Sequence, residues 1–210
     1  PVVPNHRPGA GTQIGLDSVA KAAADGYTLL LGTTDGFSVL PAVKKRLPYD
    51  AAKDFTAIAR IASTPLVVAV SSRLPVKSVQ ELVAYAKSKP GSIRCGHVGQ
   101  GSSTHIAGVY LDNVAGIKTI QVPYKGMAPA VNDLLAGHID LVLSTPLSIV
   151  PHASSDKIRL LAVSSRARVG ALPTVPTTAE AGIDEFNLDA WWGVFGPARL
   201  PPGVAQRLLR

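Results

Sequence analysis

The residues Gly99-Gln100-Gly101-Ser102-Ser103-Thr104-His105 set two glycines, three hydroxyls and an imidazole in one short run. The run follows an apolar stretch, 93–98, and precedes a helical pattern over 106–114. A strand, a glycine loop and a helix start together form a cradle for an anion. N–H groups at a helix N-terminus have no intrahelical partner, and the helix dipole adds partial positive charge there. Carboxylates and phosphates both suit such a cradle. Catalysis is a weaker reading of the same residues. Ser102 and His105 place a hydroxyl near an imidazole, but no third, orienting acid accompanies them and no G-x-S-x-G elbow occurs. The chain also carries no P-loop, no dinucleotide fingerprint and no metal-ligand spacing among its five histidines. The expectation is a binding protein, not an enzyme, with no cofactor and no metal.

The elements that must position this loop alternate along the chain. Apolar spacing predicts a helix over 14–24, strands over 27–31, 55–61 and 66–70, and a helix over 79–87. Ser78 is the expected N-cap of that helix, with Glu81 completing a capping box. Further strands are expected over 93–98, 118–122, 139–144, 158–164 and 191–195. Helices are expected over 104–114, 128–136, 148–153, 177–181 and 204–210. Such alternation predicts an α/β fold of mainly parallel sheets flanked by helices. In open sheets of that kind ligands sit beyond the carboxyl ends of strands. Three hydroxyl-rich loops meet this condition: Gly32-Thr33-Thr34-Asp35-Gly36, the glycine loop itself, and Ser144-Thr145-Pro146. A fourth, Pro123-Tyr124-Lys125-Gly126, adds a phenol and a cation, whose role as a plain turn or as part of a site is evenly balanced. The candidate ligand-binding residues are Thr33, Thr34, Asp35, Gly99, Gly101, Ser102, Ser103, Thr104, Gly126 and Ser144.

Composition narrows the partners. Hydrophobic residues make up 46% of the 210 and charged residues 17%, which supports a sizeable core. The net charge of +7 raises nucleic acid as a partner. Scattered basic residues and the lack of an aromatic stripe argue against it, in favour of anionic small ligands. The single cysteine, Cys95, lies in an apolar stretch and reads as a buried small hydrophobe. His105, in the first helical turn, reads as structural, and Trp191-Trp192 as a pair that buries one ring.

A set of motifs then points to a family. In order they are Asn5-His6-Arg7-Pro8-Gly9-Ala10-Gly11, Asp25-Gly26-Tyr27-Thr28-Leu29-Leu30-Leu31-Gly32, Leu47-Pro48-Tyr49-Asp50 and Lys53-Asp54-Phe55. The glycine loop, Val122-Pro123-Tyr124-Lys125-Gly126 and Pro173-Thr174-Val175-Pro176-Thr177-Thr178-Ala179-Glu180-Ala181-Gly182 complete the set. The series closely resembles the substrate-binding proteins of tripartite tricarboxylate transporters, the Bug family, over essentially the whole chain. That resemblance implies a two-lobed, type II-like periplasmic-binding-protein fold. The first lobe would comprise 1–70 and 190–210 and be incomplete, and the second would comprise 71–189. It further implies a monomeric periplasmic receptor that holds a small organic carboxylate or amino acid between its lobes and delivers it to transporter membrane subunits. A signal peptide and further segments at both ends would lie outside this sequence. Three places depart from the family pattern. Asn5-His6-Arg7 has a His where Asn and Arg are usually adjacent. Asp35 stands where His or Asn is commoner, and would repel a dicarboxylate but suit an ammonium group. Ser144 stands where Asp is common. The rival readings are a ligand-sensing domain of a regulator and, behind it, a hydrolase.

Overall fold

The computed structural model describes residues 2–7, 9 and 12–209. Pro8, Ala10 and Gly11 of the first motif lie outside the described residues. The described elements begin with α1 (Gln13–Ala20), β1 (Leu30–Thr33), a π-helical turn (Asp35–Val39) running into α2 (Leu40–Val43), β2 (Phe55–Pro65), β3 (Val67–Ser71) and α3 (Val79–Ser88). They continue with β4 (Arg94–His97), α4 (Ser103–Ala115), β5 (Ile120–Pro123), α5 (Met127–Ala136) and β6 (Leu141–Ser144). After α6 (Pro146–Ile149), a 3-10 turn (Val150–His152) precedes β7 (Ile158–Val163), β8 (Asp189–Pro197) and α7 (Pro202–Leu208). The chain divides into two compact units, 1–63 with 191–210, and 64–190.

The larger unit is built on runs that only a doubly covered strand can satisfy. All five residues of β3 and all four of β6 are buried, so both strands need apolar cover on both faces. They sit inside a five-stranded sheet of order β5-β4-β6-β3-β7. Val67, Val142 and Val163 of this sheet pack in one core cluster with Ala130, Val131 and Leu134 of α5. The capping box expected at α3 is present: Ser78 Oγ accepts the Glu81 N–H at 3.1 Å. Glu81 Oε2 reaches back to the Lys77 N–H at 2.6 Å, one residue before the position the motif anticipates.

The sheets are mixed rather than mainly parallel. β4 runs parallel to β5 and β6, but β3 is antiparallel to β6 and β7. In the smaller unit β1 is antiparallel to β8. Alternating helices and strands reveal the layers but not the sense of a strand that enters a sheet directly from another strand, as β3 does one residue after β2. β3 pairs wholly within the larger unit, so residues 67–70, which the resemblance puts in the first lobe, lie in the second unit's sheet. The short helix expected over 177–181 is instead one capped turn. Thr177 N–H donates to Glu180 Oε2 at 2.8 Å and Glu180 N–H to Thr177 Oγ1 at 3.0 Å, and Gly182 (φ +80°) then ends it.

The smaller unit holds its own core of Leu16, Val19, Leu30 and Tyr49, with Phe37, Phe55 and Phe195 against it. Gly32 and Gly193 face each other across β1 and β8. A Cβ on Gly32 would lie 2.5 Å from the Phe37 ring and 2.7 Å from that of Phe195. Glycine there lets the two rings stack at 4.0 Å over the bare backbone.

Candidate functional site

Strand order in the larger unit fixes where its loops gather. β4, β5 and β6 point the same way, so the loops after them share one edge of the sheet. From β4 the chain leaves through α4 to β5 on one side. From β6 it leaves through α6 to β7 on the other. The neighbours β4 and β6 therefore form a topological switch point, where ligands in open α/β sheets lodge. The sequence candidates Gly99, Gly101, Ser102, Ser103, Thr104, Gly126 and Ser144 all follow or end these strands. The N-termini of α4 and α5 open on the same edge and add partial positive charge to it.

Within the glycine loop, Gly99 (φ +111°) and Gly101 (φ +75°) take conformations that L side chains rarely adopt. They turn the chain so that Ser102 becomes the N-cap of α4. Its Oγ accepts the His105 N–H at 3.2 Å, and its N–H donates to the Gly99 carbonyl at 3.2 Å. Thr104 Oγ1 accepts the Val98 N–H at 3.1 Å and lies 3.1 Å from Ser102 Oγ. Both side chains are buried, so these hydroxyls build the loop. Thr104 N–H, in the first turn of α4, has no acceptor within the helix.

Two imidazoles underlie the loop. His105 Nδ1 accepts the Gly101 N–H at 3.2 Å. His97, the last residue of β4 and 2% exposed, places Nδ1 3.2 Å from the Gly99 N–H donor and 2.9 Å from the Gly99 carbonyl. The rings lie 4.5 Å apart. Burial pushes the His97 imidazole below its usual pKa; the Gly99 carbonyl opposes this and His105 reinforces it. The sequence reading passed over His97, whose one visible signal is an imidazole closing an otherwise apolar strand.

The remaining candidates vary in setting. Gly126, the N-cap of α5, is extended, and a Cβ there would meet nothing within 4 Å. Ser144 is fully buried, with its hydroxyl 3.4 Å from the Thr145 carbonyl. Tyr124 turns away from the turn it begins: its hydroxyl donates to Asp133 Oδ2 at 2.6 Å and its ring packs on the core. In the smaller unit, Thr33 ends β1 with a buried hydroxyl that has no partner among the described residues. Thr34 Oγ1 accepts the Trp191 N–H at 2.8 Å. Asp35 begins the π-helical turn and is half-buried. Neither Trp191 nor Trp192 is fully buried, and the Trp191 ring lies 6.1 Å from that of Phe37.

Other features are set apart from this edge. Arg94 starts β4 at the opposite end of the sheet, where Nε and Nη2 grip Asp140 at 2.9 and 3.0 Å. A surface groove of about 670 Å³ lies between α3, the end of α4 and residues 181–185. Among the described residues no group of three or more His, Cys, Asp or Glu could hold a metal ion, and no helix is long and apolar enough to cross a membrane.

Comparison with known proteins gives this edge a context. The model of the tripartite tricarboxylate transporter family receptor matches residues 1–210. The structure of Rhodopseudomonas palustris Rpa4515 with adipate superposes with a TM-score of 0.89 at 34% identity, covering 96% of this chain and 68% of that one. That of periplasmic binding protein BugD gives 0.84 at 34%, covering 95% and 67%. That of MatC from Rhodopseudomonas palustris with bound malate gives 0.85 at 29%, covering 95% and 68%. The chain spans less than two thirds of the length of the first curated relatives it matches, 62% and 65%.

Proposed function

The chain belongs to the tripartite tricarboxylate transporter receptor family, and from that premise we propose that it captures a small organic carboxylate for transport. The observation that carries the reading is the β4–β6 switch point, with the glycine loop and the N-terminus of α4 on its edge. Backbone N–H groups replace the hydration of a carboxylate there, and the small residues allow close approach. Carboxylate is preferred over phosphate because no lysine-bearing phosphate loop accompanies the site and because family structures hold adipate and malate. In the smaller unit, Thr33, Thr34 and Asp35 at the end of β1 are that unit's ligand-facing candidates. The receptor acts as a monomer; its family and its likeness to the periplasmic binding protein BugD support a periplasmic setting, where it hands its ligand to the transporter's membrane subunits.

Calorimetric titration with adipate, malate, citrate, aspartate and glutamate tests the reading. Saturable binding of at least one acid, with a rise in melting temperature, is expected. No heat and no melting shift across the panel would overturn it. So would turnover of ester or amide substrates that is lost in Ser102→Ala.

A further inference from the structure

We infer that His105 and His97 are positioning residues, which hold the glycine loop through neutral imidazole acceptors and make its backbone donor set respond to protonation. The consequence for ligand rests on the carboxylate-receptor reading; the hydrogen bonds do not.

The loop needs such support. Gly99 and Gly101 both sit at positive φ, and glycine backbone has little preference of its own. Their two N–H groups go to side-chain nitrogens: Gly101 to His105 Nδ1 and Gly99 to His97 Nδ1, each at 3.2 Å. A ring nitrogen accepts only while it is unprotonated, so both bonds require the neutral Nε2–H tautomer. Protonating His105 would set Nδ1–H against Gly101 N–H, donor against donor. Protonating His97 would turn its Nδ1–H onto the Gly99 carbonyl, 2.9 Å away, and release the Gly99 N–H. The same residue thus offers His97 two mutually exclusive partners: its N–H when Nδ1 is bare, its carbonyl when Nδ1 carries a proton.

Few titratable or charged groups stand on the elements packed around the two imidazoles. α4, which carries His105, packs on β4 and β6. Besides His97, β4 carries Arg94, paired with Asp140 at the far edge, and Cys95, whose buried thiol is pushed up to about 12. β6, Leu141–Ser144, has no titratable side chain. The adjoining loop after β5 brings Lys125. The rings stand 4.5 Å apart, so charging one opposes charging the other.

The test has two arms. Long-range proton–nitrogen spectra of the ligand-free protein report the tautomers directly. Both rings are expected as Nε2–H at pH 8, and the Gly101 amide is expected to shift with the same midpoint as the His105 nitrogens. An Nδ1–H tautomer of His105 at pH 8, or a Gly101 amide indifferent to that titration, would overturn the inference. In the second arm adipate is titrated into the wild type, His105→Asn and His105→Leu at pH 8 and pH 6. Asn Oδ1 occupies the place of Nδ1 and accepts at either pH, whereas Leu cannot. His105→Leu is expected to weaken binding by roughly tenfold at pH 8, the scale of one net hydrogen bond. His105→Asn should recover most of that loss. The wild type should lose affinity from pH 8 to pH 6 relative to His105→Asn. Asn and Leu variants that behave alike would refute the positioning role. If adipate binds none of the three proteins, the spectra still decide the inference, and the acid panel above decides the receptor reading.

Discussion

Thr104 Oγ1 accepts the Val98 N–H at 3.1 Å, so the second residue of α4 closes the glycine loop back onto the end of β4. The hydroxyls that mark this stretch in sequence are thereby turned inward. Ser102 Oγ caps the helix, and Thr104 Oγ1 anchors the chain that leads into it. What remains for an anion is chiefly backbone, which explains why a loop of small residues suits the edge.

Removing the Thr104 acceptor should therefore act on stability first. Thr104→Val keeps the shape but leaves the Val98 N–H unpaired in a part-buried setting, at a cost of about 1–3 kcal/mol. Thr104→Ser keeps the acceptor and should retain most of that stability. Urea denaturation of the two variants checks the difference. Equal midpoints would show that the bond contributes nothing.

Gly101 and Gly126 make a contrasting pair on the same edge. Gly101 has φ +75°, so an alanine there is strained by roughly 1–2 kcal/mol and reshapes the loop. Gly126 is extended with open space around its Cβ direction. Gly126→Ala should change stability by less than about 0.5 kcal/mol. Thermal melts of both variants, with adipate titrations of Gly101→Ala, test this. A Gly101→Ala protein with wild-type stability and affinity would remove the argument for close backbone approach.

Distance from the edge should separate stability from binding at Arg94 and Asp140. Asp140 Oδ2 accepts both the Arg94 N–H and its Nε–H, at 2.8 and 2.9 Å. Asp140→Ala strips these two bonds and the one from Arg94 Nη2 from the start of β4, a loss of about 1–3 kcal/mol for a charge-assisted set. The expected result is a lower melting temperature with adipate affinity within twofold of the wild type. A large loss of affinity in protein that is still folded would contradict the placement of the site at the opposite end.

Much of this was legible in sequence where a physical signal is local. Ser78 and Glu81 announce the start of α3 because a cap is a contact between near neighbours. β3 and β6 show as short apolar runs because both faces are buried. The hydroxyl-rich loops could be ranked because they follow strands. Strand sense was not legible, since β3 and β6 meet through pairing more than seventy residues apart along the chain. The π-helical turn Asp35–Val39 has no such local signal: in sequence its first two residues end a loop, with Gly36 as a turn residue. What seats the turn is tertiary: the Tyr49 hydroxyl donates to the Gly36 carbonyl at 2.8 Å. Tyr124 was balanced between turn and site until its bond to Asp133 placed it with the core.

That Tyr124–Asp133 bond carries the last prediction, which concerns pH. Burial first, then the hydrogen bond to Asp133, pushes the Tyr124 phenol up to about 12. Bonds from Tyr124 and His138 hold the Asp133 carboxyl below the usual aspartate value. A phenol whose folded pKa is raised stabilises the fold fully below its unfolded value near 10, and the contribution is lost as pH rises through about 12. A carboxyl whose folded pKa is lowered stabilises the fold above its unfolded value near 4, and that contribution is lost as pH falls through the lowered one. Wild-type stability should therefore decline on both sides. Tyr124→Phe should shrink both limbs, leaving on the alkaline side the part due to Tyr49, whose phenol burial also pushes up, and at Asp133 the part due to His138. Denaturant midpoints from pH 2 to pH 12 measure the limbs, and ultraviolet titration of the tyrosines measures the phenol itself. If every phenolate forms by about pH 10.5, close to the unperturbed range, the Tyr124–Asp133 bond is not made in solution.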